Sequence, residues 1–136
     1  MVYVIKAEIP TPTARTFVFT AQKTMYGGKR IAASDTVFVF ASENEGGAGL
    51  IARGIVTSAQ AGPKKPSPDR QTPTVSIAVR RTAKANRPLG RAQLRPFANW
   101  GDGWPETELN FKFYRQATNK IAGVSGAAAA FLEGHF

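Results

Sequence analysis

The chain contains no cysteine and a single histidine, and these two absences remove several classes of protein at once. Without cysteine, the 136 residues cannot form a disulfide, a thiolate zinc site or a cysteine nucleophile. The one histidine, His135, is the penultimate residue, where an imidazole is poorly held as a general base. Serine-histidine-aspartate catalysis and multi-histidine metal sites are therefore disfavoured, and we expect no metal and no cofactor.

Long apolar runs are also missing. No window approaches the roughly 18 consecutive apolar residues of a membrane-spanning helix, and the first ten residues carry neither a basic leader nor a long apolar core. We therefore expect a soluble, cytoplasmic protein with no membrane partner. The length of 136 residues is typical of one domain, so we expect residues 1–136 to form a single unit with its own core.

Acidic residues are scarce relative to basic ones. The chain has 18 Lys and Arg against 9 Asp and Glu, a formal net charge of +9 that would attract polyanions. Nine of the cations lie between Pro63 and Pro96, where the only acid is Asp69. We favour a basic face that binds nucleic acid, and a solvated surface kept for solubility is the alternative.

The clearest structural signal is an apolar hairpin. Two stretches rich in β-branched and aromatic residues, Asp35–Ala41 and Leu50–Val56, flank a segment of turn-forming and small polar residues, Ser42–Gly49. The alternation of apolar and polar residues predicts three further strands, which cover Val2–Ile9, Thr72–Ala83 and Leu109–Tyr114.

Helical patterns are weaker. Apolar spacing favours a helix over Thr13–Met25, although Thr16–Thr20 by itself resembles a strand. An alanine run predicts a closing helix over Thr118–Phe131. The remaining segments are predicted to be a turn, a proline-rich loop, one short helical turn and an irregular aromatic loop, at Tyr26–Arg30, Gln60–Gln71, Arg87–Arg95 and Phe97–Pro105 respectively.

Five or six strands with a few short helices place the chain in the α+β class, mainly β. On 136 residues such a set predicts a small, mostly antiparallel β-barrel or strongly curved sheet with one or two flanking helices. An all-helical fold does not fit this pattern.

Short motifs follow one another along these segments. They are D-x-V-F-V-F (Asp35–Phe40), the serine-bearing tip Ser42–Gly49, I-A-R-G-I-V (Ile51–Val56), V-x-I-x-V (Val75–Val79), R-P-L-x-x-x-x-L-R (Arg87–Arg95) and, more loosely, N-K-I-A-G-V-S (Asn119–Ser125). Their order resembles the PUA-like superfamily, and within it the EVE and YTH domains. The resemblance covers roughly residues 30–96 and implies a small PUA-like, EVE-type β-barrel.

The resemblance also implies a cleft that receives a base, often modified, lifted from a DNA or RNA strand, with aromatic rings as its usual walls. The loop after the return strand has no aromatic residue here, so the rings would come from elsewhere, and the tryptophan loop is a candidate wall or else a packed lid. The expected base-contacting residues are Ser42, Asn44, Asn99, Trp100, Trp104 and Tyr26.

Cations near this cleft would hold the flanking phosphates. The expected phosphate-binding residues are Lys29, Arg30, Arg53, Arg80, Arg81 and Lys84, and for each of them a plain surface charge is the alternative.

Three functions follow as hypotheses. We favour a non-catalytic nucleic-acid-binding module that recognises a flipped and modified base, and assign no catalytic residue. A nuclease of the ASCH type is the first alternative, although its G-x-K-x-x-E-x-R pattern is only faintly matched at Gly28–Arg30 and the one acidic cluster is Asp102, Glu106 and Glu108. A protein-binding adaptor is the second. The sequence does not distinguish DNA from RNA as the ligand, and it does not give the oligomeric state.

Overall fold

A computed structural model describes residues 1–63, 73–115 and 118–136. Within them, strands close into a barrel in the order β1-β3-β4-β5-β2-β6. The strands are β1 (Val2–Ala7), β2 (Thr16–Met25), β3 (Thr36–Ala41), β4 (Gly49–Ala61), β5 (Thr74–Lys84) and β6 (Lys120–Gly123). The flanking helices are α1 (Arg91–Leu94), α2 (Pro105–Leu109), the π-helix Asn110–Tyr114 that continues α2, and α3 (Gly126–Glu133), with short 3₁₀ turns at Gly28–Arg30 and Glu43–Glu45.

The predicted small barrel with short helices is confirmed, and its pairing is mixed. β1 pairs in parallel with β3, and β2 with β6, whereas the other neighbours are antiparallel. β1, β3 and β5 therefore run in one direction, and β2, β4 and β6 in the other. The C-terminal ends of β1, β3 and β5 therefore meet the N-terminal ends of β2, β4 and β6 at one end of the barrel. We call this the upper end.

Apolar side chains form two cores, one inside the barrel and one between the barrel and the helices. Successive residues of a strand face opposite sides, so β1 and β3 contribute to both cores, with Ile5 in the first and Phe38 in the second. This is why both strands are almost wholly buried. The predicted hairpin is confirmed as β3 and β4, and the predicted strand at Thr72–Ala83 as β5.

The helix predicted over Thr13–Met25 is wrong, because this segment forms β2. A bulge between Phe19 and Gln22 interrupts the alternation, and Ala21 there has a positive φ of 51°. Phe17 and Phe19 face the core before the bulge, and Gln22 faces it after the bulge. The helical spacing in the sequence included Val18 and Ala21, which are apolar but exposed on this strand.

The strand predicted over Leu109–Tyr114 is also wrong, because these residues continue α2 as a π-helix. Leu109 and Phe113, four residues apart, both pack into the outer core, as one face of a helix requires. A helix start was visible in the sequence, since proline suits the first helical position and Glu106 and Glu108 suit the first turn.

The closing helix is shorter than predicted, because its first part is β6. Lys120–Gly123 lies between β1 and β2, and the helix begins only after Ser125, whose hydroxyl accepts a hydrogen bond from the Ala128 N–H at 3.1 Å. The proline-rich loop at Gln60–Gln71 lies mostly outside the described residues, and β4 extends into its start, to Ala61. In the described parts of the chain, no helix is long and apolar enough to cross a membrane.

Candidate functional site

A cavity of about 360 Å³ opens at the upper end of the barrel, a volume within the range of roughly 300–1,000 Å³ that ligand sites occupy. The end of β1, the hairpin tip, α1 and the π-helix supply its walls. Its lining is polar and strongly basic, and consists of Lys6, Asn44, Arg91, Arg95, Asn110, Tyr114 and Arg115.

Lys6 is the buried cation of this cavity, with 5% of its surface exposed. Its Nζ donates a hydrogen bond to the Tyr114 carbonyl at 2.9 Å and lies 4.8 Å from the centre of the Tyr114 ring and 5.7 Å from that of Phe113. Burial lowers the pKa of Lys6, and the Arg91 charge lowers it further, whereas Glu43 opposes both. The charge is therefore held in place by a carbonyl and two ring faces.

Glu43 ties the hairpin tip to the helices around the cavity. The Tyr114 hydroxyl and the Arg91 backbone N–H both donate to its carboxylate, the latter at 2.8 Å. Burial, followed by the bond to Glu43, raises the pKa of Tyr114 well above its usual value, so the phenol stays protonated. Arg91 also donates from Nη2 to Asn44 Oδ1 at 2.7 Å. Asn44 Oδ1, the Tyr114 carbonyl and one Glu43 carboxylate oxygen therefore already accept hydrogen bonds from the protein's own donors.

The π-helix aligns three cavity residues. The Arg115 N–H donates to the Asn110 carbonyl at 3.0 Å, an i+5 bond that widens the turn. Asn110, Tyr114 and Arg115 consequently lie on the same side, although positions five apart diverge on an α-helix. The Asn110 amide donates to the Phe97 carbonyl at 3.0 Å, and the Arg115 guanidinium stacks on the Phe111 ring at 4.3 Å.

Two glycines let α1 approach the hairpin. Gly49 has a φ of +82°, and a Cβ there would lie 2.3 Å from the Leu89 carbonyl oxygen. That oxygen accepts a hydrogen bond from the Leu50 N–H at 2.9 Å. At Gly90, an added Cβ would lie 3.0 Å from the Glu43 carboxylate. A side chain at Gly49 would therefore force the Leu89 backbone away from the hairpin, whereas one at Gly90 would crowd the Glu43 carboxylate.

Of the two hairpin-tip residues expected at the base cleft, Asn44 lines this cavity and Ser42 does not. Ser42 is buried, its N–H donates to the Ala7 carbonyl at 2.9 Å, and its hydroxyl is hydrogen-bonded to Thr118 at 3.0 Å. Ser42 therefore anchors the tip to β1, and Asn44 faces the open space.

The expected aromatic residues lie elsewhere. Trp100 and Trp104, 70% and 60% exposed, line a separate groove of about 200 Å³ with Lys112. Tyr26 lies against the same lysine, whose Nζ is 5.2 Å from its ring centre. Asn99 accepts a hydrogen bond from the Gly101 N–H within the tryptophan loop. The structure does not bring these four residues to the cavity beside Asn44.

The expected phosphate-binding residues divide into three places. Arg80, Arg81 and Lys84 line a second groove at the upper end together with Arg15. One nitrogen of the Arg81 guanidinium already donates hydrogen bonds within the protein, to the Thr13 and Ala14 carbonyls at 2.9 and 3.2 Å.

The other three cations lie apart from that groove. Lys29 and Arg30 follow the C-terminal end of β2, and so lie at the opposite end of the barrel. Arg53 pairs with Glu133 of α3 and lies over the Phe136 ring at 5.5 Å.

Two residues of the predicted acidic cluster, Asp102 and Glu108, make local contacts. Asp102 accepts from the Trp104 N–H and the Thr107 hydroxyl, each at 3.0 Å, and Glu108 accepts from Ser125 and pairs with Lys112. Across the described residues, no group of three or more His, Cys, Asp and Glu side chains is arranged to hold a metal ion.

Sequence reasoning missed most of the cavity. Lys6 had one signal, a cation inside an otherwise apolar strand. Asn110 and Tyr114 were hidden by the wrong strand prediction over Leu109–Tyr114, and Arg115 was not assigned to any site. Arg91 and Arg95 were counted among the basic residues without being assigned to a site.

No family model and no curated protein matches the chain in sequence. Solved structures match it in fold. The DUF55 domain of human thymocyte nuclear protein 1 has 13% identity and a TM-score of 0.64, covering 98% of this chain and 97% of that one. Human THYN1 protein in complex with 5-methylcytosine-containing DNA has 15% identity and a TM-score of 0.65, covering 98% and 96%. A Pseudomonas putida protein has 14% identity and a TM-score of 0.60, covering 98% of each chain.

At these identities the likeness concerns the fold alone. It extends over 98% of the chain, so it includes the barrel, the hairpin and the flanking helices. The chain therefore has the fold of the DUF55 domain of human thymocyte nuclear protein 1, and the small β-barrel with flanking short helices predicted from the sequence is confirmed.

Proposed function

We propose that this chain is a nucleic-acid-binding module that holds a base, lifted from its strand, in the cavity at the upper end of the barrel. The observation that carries the proposal is the lining of that cavity, in which Lys6 and three arginines stand beside two asparagines and a tyrosine. Hydrogen-bonding side chains contact the edges of a flipped base, and cations contact the phosphates beside it.

The comparison supports this function and extends it to modified bases. Human THYN1, which has the same fold, was solved in complex with DNA that contains 5-methylcytosine. We extend nucleic-acid binding to the present chain on the basis of its own cavity, and include bases that carry a modification among the ligands.

The second basic groove gives the strand a path away from the cavity. Arg15, Arg80 and Lys84 lie at the same end of the barrel as the cavity, on β5 and directly before β2, across the barrel from β1. Phosphates that flank the bound base would contact this groove, and each contact would release counterions on binding.

The exposed tryptophans offer a stacking surface for a neighbouring base. Trp100 packs edge-on against Phe111, with 5.1 Å between the ring centres. The Arg115 guanidinium, which lines the cavity, also lies over the Phe111 ring, so Phe111 connects the tryptophan loop with the cavity. Stacking of a base on an aromatic ring contributes about 1–3 kcal/mol. A base next to the one in the cavity would therefore stack here.

Fluorescence anisotropy of labelled single-stranded oligonucleotides tests the proposal. The double variant Arg91→Gln with Arg115→Gln removes two charges from the cavity. We expect it to weaken binding about tenfold or more, as the loss of a base-contacting arginine costs roughly 1–3 kcal/mol.

Lys29→Gln with Arg30→Gln is the matched control, because it removes the same charge from the opposite end of the barrel. It should retain most of the wild-type affinity. Equal losses in the two double variants would point to net charge alone and would contradict the cavity as the binding site.

A further inference from the structure

The cavity contains far more hydrogen-bond donors than acceptors. Lysine and arginine side chains have donors and no acceptor, and four of the seven lining residues are of these types, namely Lys6, Arg91, Arg95 and Arg115. The occupant must therefore supply the acceptors.

Two acceptors of the lining residues already accept hydrogen bonds within the protein. Asn44 Oδ1 accepts from Arg91 at 2.7 Å, and the Tyr114 carbonyl accepts from Lys6 at 2.9 Å. The Tyr114 hydroxyl donates to Glu43, which also accepts from the Arg91 N–H. An amino group that entered the cavity would meet cations and find few oxygens to bond.

We propose that the cavity selects a base whose entering edge presents acceptor atoms, and so favours guanine over adenine and carboxyl-bearing over methyl-bearing pyrimidines. This inference rests on the proposed function and adds a ligand class to it. Guanine offers the O6 and N7 acceptors, which arginine and lysine bind most commonly, whereas adenine places an amino group beside N7 and cytosine presents the N4 amino group.

The same reasoning separates two modifications at one position of the ring. A carboxylate at C5 of cytosine adds two anionic acceptors, which arginine binds with charge-assisted hydrogen bonds. A methyl group adds none and would displace water from charged side chains without replacing their hydrogen bonds.

Competition binding with four oligonucleotides of one sequence tests the selection. Each contains a single variable base in a thymine strand, and the pairs compared are guanine with adenine and 5-carboxylcytosine with 5-methylcytosine. We expect guanine and 5-carboxylcytosine each to bind about tenfold tighter than its partner, because only they can accept a bidentate contact from the arginines. Arg91→Gln with Arg115→Gln should bring both ratios close to one.

The outcomes distinguish this inference from the proposed function. Binding of all four strands with equal affinity, or with adenine and 5-methylcytosine preferred, overturns the acceptor selection and leaves nucleic-acid binding intact. Preferences that persist unchanged in the double variant also overturn it, because they then arise outside the cavity. Failure of all four strands to bind at low salt overturns both.

Discussion

Lys6 is the residue on which the interpretation of the cavity depends most. A buried charge costs free energy unless nearby groups compensate it. The Tyr114 carbonyl and two aromatic rings do so here, although burial still lowers the pKa of Lys6. Charges kept in such surroundings are typical of functional sites. The sequence shows a lysine in an apolar strand, and only the closed barrel shows that it faces a cavity.

Tyr114 provides the first test at this scale. Tyr114→Phe removes the hydroxyl that donates to Glu43, and we expect the free energy of unfolding at pH 7 to fall by about 1.5 kcal/mol, because hydrogen bonds to charged groups contribute that much. Chemical denaturation measures the change. Tyr26→Phe, at an exposed ring, is the control and should change stability by less than about 0.5 kcal/mol.

The raised pKa of Tyr114 also makes the free energy of unfolding depend on pH. Burial and Glu43 raise the pKa of Tyr114, so the folded state keeps the phenol proton at pH values where the unfolded chain loses it, above about 10. The folded state then binds more protons, and the free energy of unfolding falls as the pH rises through this range. Tyr114→Phe should show a smaller fall than wild type, and an identical fall in both proteins would contradict the assignment.

At the scale of elements, the hairpin was predictable and the helix beside it was not. β3 and β4 combine β-branched residues with a glycine-rich tip, and both signals agree. Asn110–Tyr114 alternates like a strand, yet Pro105 starts a helix before it and tertiary packing keeps that helix. In β2, the exposed apolar residues Val18 and Ala21 gave a strand the spacing of a helix. Local patterns failed where apolar residues faced solvent and where tertiary packing overrode an alternating sequence.

A substitution at Gly49 tests whether the close contact between the hairpin and Leu89 positions α1. Gly49→Ala should reduce stability by about 2–4 kcal/mol, from a positive φ together with a clash against the Leu89 carbonyl. It should also weaken oligonucleotide binding, because Arg91 follows that contact.

Gly46→Ala is the control for the backbone strain. Gly46 has the same φ of +82°, and no atom lies within 4 Å of an added Cβ. It should cost only about 1–2 kcal/mol and leave binding unchanged. Equal losses of stability and of oligonucleotide binding in the two variants would show that the close approach of Leu89 to β4 does not position the residues of the cavity.

At the scale of the whole molecule, closure of the barrel assembles the site. The cavity residues come from positions 6, 44, 91, 95, 110, 114 and 115, and the parallel pairing of β1 with β3 brings the first two together. Strand and turn patterns predicted a barrel, but not this parallel pairing, so they could not group these positions. The basic composition predicted one charged face. In the structure the cations lie at both ends of the barrel, because the strand directions place some at the upper end and others at the opposite end.

Charge reversal at the two ends tests that distribution. Arg80→Glu with Lys84→Glu alters the upper groove and spares Arg81, which supports the Thr13–Ala14 turn. We expect lower affinity and a reduction of the salt-dependence slope by about 1–2, as two phosphate contacts are lost. Lys29→Glu with Arg30→Glu makes the same change of charge at the opposite end and should alter both quantities much less. A larger effect from the second pair would reverse the orientation proposed for the strand.

The central claim, that a base enters the cavity beside Lys6, is tested most directly by the side-chain amide signals of a ¹⁵N-labelled protein during titration with a guanine-containing oligonucleotide. The amides of Asn44 and Asn110 line the cavity, that of Asn99 lies in the tryptophan loop, and Gln22 is buried in β2. We expect the signals of Asn44 and Asn110 to shift most, that of Asn99 to shift less, and that of Gln22 to stay unchanged. Saturable binding that leaves Asn44 and Asn110 unchanged would contradict it.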